Sequence, residues 1–497
     1  MTAEPRSISE LLQQRAATTP DKIFLFSEAD GRQFTYTEFV SAAARVAAML
    51  AARGIRKGDV VSLLLPNSAE YIIAYFACWQ LGALAGPVNG QLKAQEIAYV
   101  VSNSESKLML VNSEFLPKVE SIDMPRVVFD DERQVTREFD GSETADIDTE
   151  DEAIIIYTSG TTGKPKGCLL THGNVIANAR QISQWLGFNE NDRLLTIMPL
   201  FHMNAVSVTT ISALYARGST VVSQKFSASR FWQIISDYQI TSFGSVATML
   251  SMLLSTYPDG VPAGLKTDQL RFAMCGSAPV PAEVLRRFEE TFNCLVVEGY
   301  GLSESTCRST FNPPDERRRP GSCGLPIGNE MRVVDEDDRD VPDGELGEIV
   351  LRGENILKGY FKNEAATATT FRNGWFHTGD IGYRDADGFY YIVDRKSDMI
   401  IRGGENIYPR EIDEVLYQHP QIAAAAVIGV PDELYGEDVA AVVVLKRDAK
   451  VSEAEVIDFC KARLADYKCP KTVRFVADIP KGPTGKLLKR ELAQMFR

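Results

Sequence analysis

Apolar positions along the first hundred residues alternate between a helical and an extended spacing. Thr35 and Glu38 stand in the frame of a capping box, and an alanine-rich run follows with apolar residues at helical spacing up to Gly54. That predicts an amphipathic helix stopping at the glycine. Ser7 and Glu10 form the same frame for an earlier helix. From Asp59 to Leu65 the chain is almost continuously apolar and closes on Pro66-Asn67, which reads as a buried strand. A helix through Tyr71 and Phe76 and a short strand before Pro87 come next. This β-then-α rhythm predicts an α/β architecture with parallel strands. The last hundred residues change character: a helix over Pro409–Tyr417, strands over 422–430 and 439–445, a helix around 456–464 and a strand at 473–476. They predict a small, separate α+β domain. Between these regions, 130–152 is acidic without apolar periodicity and reads as a solvated connector. No internal repeat stands out.

Composition narrows the classes. A chain of 497 residues, 44% hydrophobic and 24% charged, should divide into several units. Its net charge of −14 argues against nucleic-acid binding, which needs a basic face. Every apolar run breaks before the roughly 20 residues a bilayer requires, so no integral membrane association is expected. The segment from Met1 to Arg15 lacks the apolar stretch of a secretory leader. The 8 cysteines are scattered without Cys-x-x-Cys spacing and the 4 histidines are dispersed, so no Cys/His metal site is expected. A cytoplasmic protein with reduced thiols fits these features.

The strongest chemical signal follows the apolar run Ala153-Ile154-Ile155-Ile156. There, Thr158, Ser159, Gly160, Thr161, Thr162, Gly163, Lys164 and Lys166 crowd hydroxyls, flexible backbone amides and positive charge into one stretch. Such a loop suits a polyphosphate. It is not a Walker loop, because Gly160 and Gly163 are too close and Pro165 stands where Ser or Thr should follow the lysine. Here the chain resembles the adenylate-forming superfamily of acyl-CoA synthetases, coumarate ligases, luciferases and peptide-synthetase adenylation domains. The resemblance runs in order along nearly the whole chain.

The resemblance implies roles for later segments. Pro199-Leu200-Phe201-His202-Met203-Asn204 is similar to the wall beside the reacting carboxylate, with His202 the catalytic candidate. Cys275-Gly276-Ser277-Ala278-Pro279 resembles the loop along one adenine face, which implies nucleotide contacts from Ser277, Ala278 and Pro279. Glu298-Gly299-Tyr300-Gly301-Leu302-Ser303-Glu304 is similar to the segment on the other adenine face. Gly299, Tyr300, Gly301 and Ser303 would then meet the nucleotide, and Glu304 would be catalytic as the ligand of Mg²⁺, an ion that favours carboxylate and phosphate oxygens. Asp380, in Gly374-Trp375-Phe376-His377-Thr378-Gly379-Asp380, resembles the carboxylate that accepts from ribose hydroxyls, and Arg395 would meet ribose or phosphate. Gly403, Gly404 and Glu405 resemble the loop flanking the arm of coenzyme A. Lys486, in Pro483-Thr484-Gly485-Lys486, resembles the catalytic lysine.

The acid pocket is expected from His202, Met203, Asn204, Ser245, Thr248 and Gly276, with Arg308 nearby. The mixture points to a short or medium acid bearing a polar group, with aryl acids open. Arg317-Arg318-Arg319 reads as a solvated loop. The implied fold is α/β: a large multi-subdomain N-terminal domain over 1–393, a hinge over 394–398 pivoting at Ser397 or Asp398, and a small mobile α+β domain over 399–497. The implied activity is an ATP- and Mg²⁺-dependent acid–CoA ligase that forms an acyl-AMP and then an acyl-CoA, its partners being a small carboxylic acid, ATP and coenzyme A. Two alternatives are an adenylate-former serving a carrier protein or an amine, and a non-catalytic nucleotide or acyl sensor.

Overall fold

The computed structural model describes residues 4–141, 144–158, 165–276, 280–480 and 489–496. Two seven-stranded sheets carry the large N-terminal domain. The first runs in the order Gln33–Thr35, Ile23–Ser27, Ser219–Val222, Arg193–Thr196, Ser242–Ser245, Phe272–Cys275, Leu295–Glu298 and is parallel apart from its first strand. The second runs Gly359–Tyr360, Lys166–Thr171, Glu152–Thr158, Leu84–Pro87, Val60–Leu64, Leu108–Val111, Arg126–Val128. Its Lys166–Thr171 strand is antiparallel to both neighbours.

The helix Ala69–Gln80 shows why the two sheets act as one body. Every residue of it is buried, so it has no polar face. Its three rings with a polar atom find partners on both sides: Tyr71 Oη donates to the Leu63 carbonyl at 3.2 Å, Tyr75 Oη to that of Leu200 at 2.8 Å, and Trp79 Nε1 to that of Ala153 at 2.9 Å. Buried aromatic polar tips need such partners, and these tie one helix to segments far apart in sequence.

The helix expected to stop at Gly54 spans Tyr36–Ala52, opens with the full Thr35/Glu38 capping box, and gives way to Gly54 at φ +87°. At the earlier helix, Ile8–Thr18, the box is only half made. Ser7 Oγ accepts from the Glu10 amide, but Glu10 Oε2 accepts from the Arg6 amide instead of returning to Ser7. The described residues of the acidic 130–152 stretch are mostly exposed or half-buried, as expected of a connector, but Glu132 is anchored. Glu132 is 1% exposed because Arg32 reaches it at 3.2 Å while also pairing with Asp30 and Glu70.

A third sheet, with strands Glu330–Val334, Gly347–Arg352, Phe371–Arg372, Trp375–Arg384 and Tyr390–Arg395, is antiparallel throughout. The parallel pattern of the first hundred residues gave no sign of it. The arginine run beside it is not simply solvated: Arg317 pairs with Asp315, Arg318 with Glu289, and Arg319 with Asp385 and Asp387.

The small C-terminal domain has its own five-stranded sheet, Glu405–Ile407, Ile400–Arg402, Gly436–Leu445, Ile422–Asp432 and Thr472–Phe475. Strand alternation splits its core into two faces. Ala425, Val427, Val439, Ala441 and Val443 pack with the helices Pro409–Tyr417 and Glu453–Lys461, and Ala426, Ile428, Ala440 and Val442 pack with Ile479 and Leu492. This domain leans on the third sheet through Arg410, whose amide donates to Asp394 Oδ2 at 3.1 Å and whose guanidinium donates to the Ile392 carbonyl.

Candidate active site

In the first sheet the parallel strands Ser242–Ser245, Phe272–Cys275 and Leu295–Glu298 run side by side and are followed by Val246, Gly276 and Gly299. Their carboxyl ends are where an open parallel sheet holds ligands. Three groups of predicted residues gather around this region.

The first group joins the first sheet to the third. Tyr300 Oη donates to Asp380 Oδ2 at 2.6 Å, and Arg395 Nε stands 2.9 Å from Asp380 Oδ1. Asp380 and Arg395 are opposite residues of an antiparallel pair, so the ladder itself sets this contact. Thr378, which the sequence did not single out, accepts from the Asp380 amide at 3.0 Å and donates to the Ile349 carbonyl at 2.7 Å. Asp380 is 3% exposed. Burial opposes the charge on Arg395, but Asp380, Tyr300 and Glu304 outweigh it and leave its pKa above the ordinary value. Tyr300 is pushed the same way by burial and by the Asp380 carboxylate.

The second group lies around Glu304, in the short 3₁₀ turn Ser303–Ser305. Its carboxylate Oε1 accepts from Tyr360 Oη at 3.1 Å, and its carbonyl accepts from the Leu357 amide at 2.7 Å. Lys166 Nζ sits 5.1 Å from the centre of the Tyr360 ring, and Thr158 Oγ1 is 3.8 Å from Cys168 Sγ. Thr158 and Lys166 face each other across the hairpin ladder. One carboxylate suits Mg²⁺, which takes its remaining ligands from phosphates and water. Among the described residues the group of three carboxylates close enough to share an ion, Glu70, Asp131 and Glu132, is occupied by Arg32 instead. Ser159, Gly160, Thr161, Thr162, Gly163 and Lys164 lie outside the described residues, as do Ser277, Ala278, Pro279 and Lys486.

The third group is the acid end. Asn204–Ile211 is a π-helix, seen in the Ser212 amide reaching back five residues to the Ser207 carbonyl. Such wide turns recur at functional sites, and apolar periodicity gave no sign of this one. Asn204 is 6% exposed, yet among the described residues neither its Oδ1 nor its Nδ2 has a hydrogen-bond partner. His202 Nε2 is likewise buried without a partner, and burial pushes its pKa down to about 4. Met203 is buried, and Thr248 is partly buried in the helix Ala247–Thr256. The Ser245 hydroxyl is committed to the Met274 carbonyl at 3.0 Å, so it is internal structure as much as pocket lining.

Several glycines have reasons other than the expected approach of adenine. A Cβ at Gly299 would stand 2.5 Å from Phe311 Cδ1, and one at Gly301 would stand 2.0 Å from the Cys307 carbonyl oxygen. At Gly276 the obstacle is Arg308 Nη2, at 2.5 Å. Gly403 and Gly404 form a two-residue hairpin turn, with φ +58° and +93°, between Arg402 and its opposite residue Glu405. Glu405 is exposed. The Gly403 amide donates to the Tyr435 carbonyl at 2.9 Å, within the small domain.

This arrangement matches known proteins over its full length. Residues 12–361 match the AMP-binding enzyme family, and residues 411–486 match the AMP-binding enzyme C-terminal domain. The chain belongs to the AMP-binding enzyme family. It is 36% identical to sulfoacetate–CoA ligase of Cupriavidus necator, over 98% of this chain and 97% of that one. It is 38% identical to 2-succinylbenzoate–CoA ligase of Bacillus licheniformis, over 97% and 98%. Among solved structures, o-succinylbenzoate CoA synthetase from Bacillus subtilis with its acyl-adenylate intermediate superposes with a TM-score of 0.88 at 35% identity, covering 99% of this chain and 98% of that one. As a member of this family the chain is an AMP-forming acid–thiol ligase that uses ATP, Mg²⁺ and coenzyme A. No helix among the described residues is long and apolar enough to cross a membrane.

Proposed function

We propose that the crevice at the strand ends holds the acid and ATP, with the work divided among the three groups. A carboxylate is a poor acylating agent because oxide is a poor leaving group. Attack of its oxygen on the α-phosphate of ATP expels pyrophosphate and makes AMP the leaving group for the thiol of coenzyme A. The barrier then lies mainly in placing the anions and spreading their charge. Asp380, held by Tyr300 and Arg395, is the hydrogen-bond acceptor for ribose. Glu304 and Tyr360, with the 158–166 segment, form the phosphate end, and Mg²⁺ bound through Glu304 supplies neutralising charge there. His202 is a neutral wall of the acid pocket, since a buried imidazole with a pKa near 4 is uncharged at pH 7. Lys486 bridges acid and phosphate oxygens during adenylation.

The C-terminal domain then turns about 394–398 and brings the Gly403-Gly404 turn beside the thiol arm. Such gating commonly separates two half-reactions. Support for the pivot is the short connection between the strand ending at Arg395 and the strand starting at Ile400. Eight free cysteines accord with a reducing, cytoplasmic setting. The acid is short or medium, or aryl. Sulfoacetate and 2-succinylbenzoate, which name the acids of two relatives, each hold a second acidic group.

The observation that carries this reading is the Tyr300–Asp380–Arg395 cluster at the sheet edge, with Glu304 near enough to raise the Arg395 pKa. Mass spectrometry of the enzyme with ATP, Mg²⁺, coenzyme A and a panel of acids tests it. Acyl-CoA with AMP is expected. AMP without thioester would move the acceptor to a carrier protein or amine, and no ATP consumption would favour a sensor.

A further inference from the structure

Arg308 is a buried cation that the adenylation scheme leaves unused. It is 2% exposed, and among the described residues its Nε and Nη2 have no hydrogen-bond partner. None of the ion pairs among the described residues includes it. A guanidinium does not shed its proton in a protein, so burying one without an opposite charge is strongly unfavourable.

The placement is built from several directions. The Arg308 carbonyl accepts from Asn178 Nδ2 at 2.7 Å and from Asn355 Nδ2 at 3.3 Å, and its amide donates to Asn178 Oδ1 at 3.3 Å. The guanidinium carbon lies 5.4 Å from the centre of the Phe311 ring. Gly276 clears the space that Nη2 occupies.

One strand over, the same device appears a second time. A Cβ at Gly244 would stand 3.0 Å from Asn204 Oδ1, and the Asn204 amide is the other unpartnered group at this end of the site. Gly244 and Gly276 belong to neighbouring strand ends, where Ser245 lies opposite Cys275. Two glycines on adjacent strands therefore make way for two buried, unsatisfied polar side chains, one of them permanently charged. Glu304 turns the other way, to Tyr360 Oη, and Tyr360 and Lys166 belong to strands of the second sheet.

We infer that the acid substrate carries a second anionic group, a carboxylate or a sulfonate, which pairs with Arg308 while the Asn204 amide donates to it. The preferred substrates are then compact acids with two negative charges. A guanidinium presents parallel N–H donors that match the oxygens of either group. An acid lacking the second group leaves the cation buried and unpaired, which is the situation in which sites reject analogues most strongly. This inference rests on the ligase reading above and adds the class of acid.

The test compares matched pairs with the full-length enzyme, ATP, Mg²⁺ and coenzyme A: succinate with butyrate, glutarate with pentanoate, and sulfoacetate with propanoate, scored by AMP release. For at least one pair the dianion should exceed its match in kcat/KM by about 100-fold or more. Arg308→Met should bring that ratio close to one with the KM for ATP unchanged, and Arg308→Lys should restore part of it. Which dianion gains most separates carboxylate from sulfonate. Monoanions used as well as dianions would overturn the inference and leave the ligase intact; that comparison needs only the unmodified enzyme, so it stands even where a variant fails to fold. A ratio that survives Arg308→Met would overturn it too. No AMP from any acid would overturn the ligase reading and this inference with it.

Discussion

The Tyr300 hydroxyl donates to Asp380 Oδ2 at 2.6 Å across 80 residues of chain, joining the edge of the parallel sheet to the antiparallel one. One residue sits just past a strand end, the other in the middle of a ten-residue strand, and Arg395 closes on the same carboxylate from the next strand. The carboxylate is therefore already oriented for the ribose-accepting role proposed for it.

Removing that hydroxyl should be felt in nucleotide binding. Hydrogen bonds to charged groups contribute about 1.5–3 kcal/mol. Tyr300→Phe should raise the KM for ATP by roughly ten-fold or more, with the KM for the acid little changed. Steady-state kinetics with each substrate varied in turn checks this, and equal changes in both would argue against a role confined to ATP.

Glu304→Gln should weaken Mg²⁺ dependence and slow adenylation by about 10²-fold, since one electrostatic stabiliser is lost. Tyr360→Phe leaves the carboxylate charge in place and should cost only a few-fold. Pyrophosphate exchange measured across a Mg²⁺ titration separates the two. A larger loss in Tyr360→Phe would reverse their ranking.

Lys486→Ala should slow acyl-adenylate formation by about 10²–10³-fold and spare thioester formation from a supplied acyl-adenylate. Both half-reactions are measurable separately. Equal loss in both would end the proposed division of labour.

Glu298 offers a pH signature independent of catalysis. It is 7% exposed, and burial raises its pKa to about 7, against a smaller opposing pull from the Gly321 amide. In the unfolded chain its pKa is near 4.5. Between those values the folded state holds the extra proton, so its stabilising share is full below about pH 4.5 and is lost as pH rises through 7. Glu298→Gln keeps the acceptor for Gly321 and never ionises. It should stabilise the protein at pH 8 by up to about 3 kcal/mol relative to the parent, and hardly at all at pH 4.5. Chemical denaturation at the two pH values reads this directly.

His202 behaves in the opposite sense. Its pKa falls to about 4 on burial, so the unfolded chain binds the extra proton between about pH 6.5 and 4. Stability is lost as pH drops through that window, and His202→Gln should make the loss shallower in denaturation curves. In the unmodified enzyme this residue should produce no inflection near pH 6.5 in the rate of adenylation.

Much of this was legible in the chain. The helix at Pro409–Tyr417 has the bounds its pattern predicts, because Pro at its first position and an apolar stripe at helical spacing are both local signals. The strands around 422–445 were legible from their runs of apolar and β-branched residues, also a local signal. Asp380 and Glu304 were found through resemblance, since a lone acidic residue has no local signature. Tyr360 was missed. It comes from a two-residue strand, and its partner Glu304 is 56 residues away. The π-helix at Asn204–Ile211 was missed because it is buried on every side, which erases the polar stripe that would mark a helix.

The sequence by itself determined the α/β class, the small second domain and the run of hydroxyls, glycines and lysines at 158–166 on which the proposed phosphate site rests. These are properties of residue type and short-range spacing. Only the tertiary structure decided which of those groups meet. It placed Arg395 against Asp380 by strand register, committed the Ser245 hydroxyl to a carbonyl, and showed that Gly299 and Gly301 clear space for Phe311 and Cys307. It also left Arg308 buried with no hydrogen-bond partner for Nε or Nη2 among the described residues. A charge's partner depends on packing between segments distant in sequence, and no local pattern encodes that.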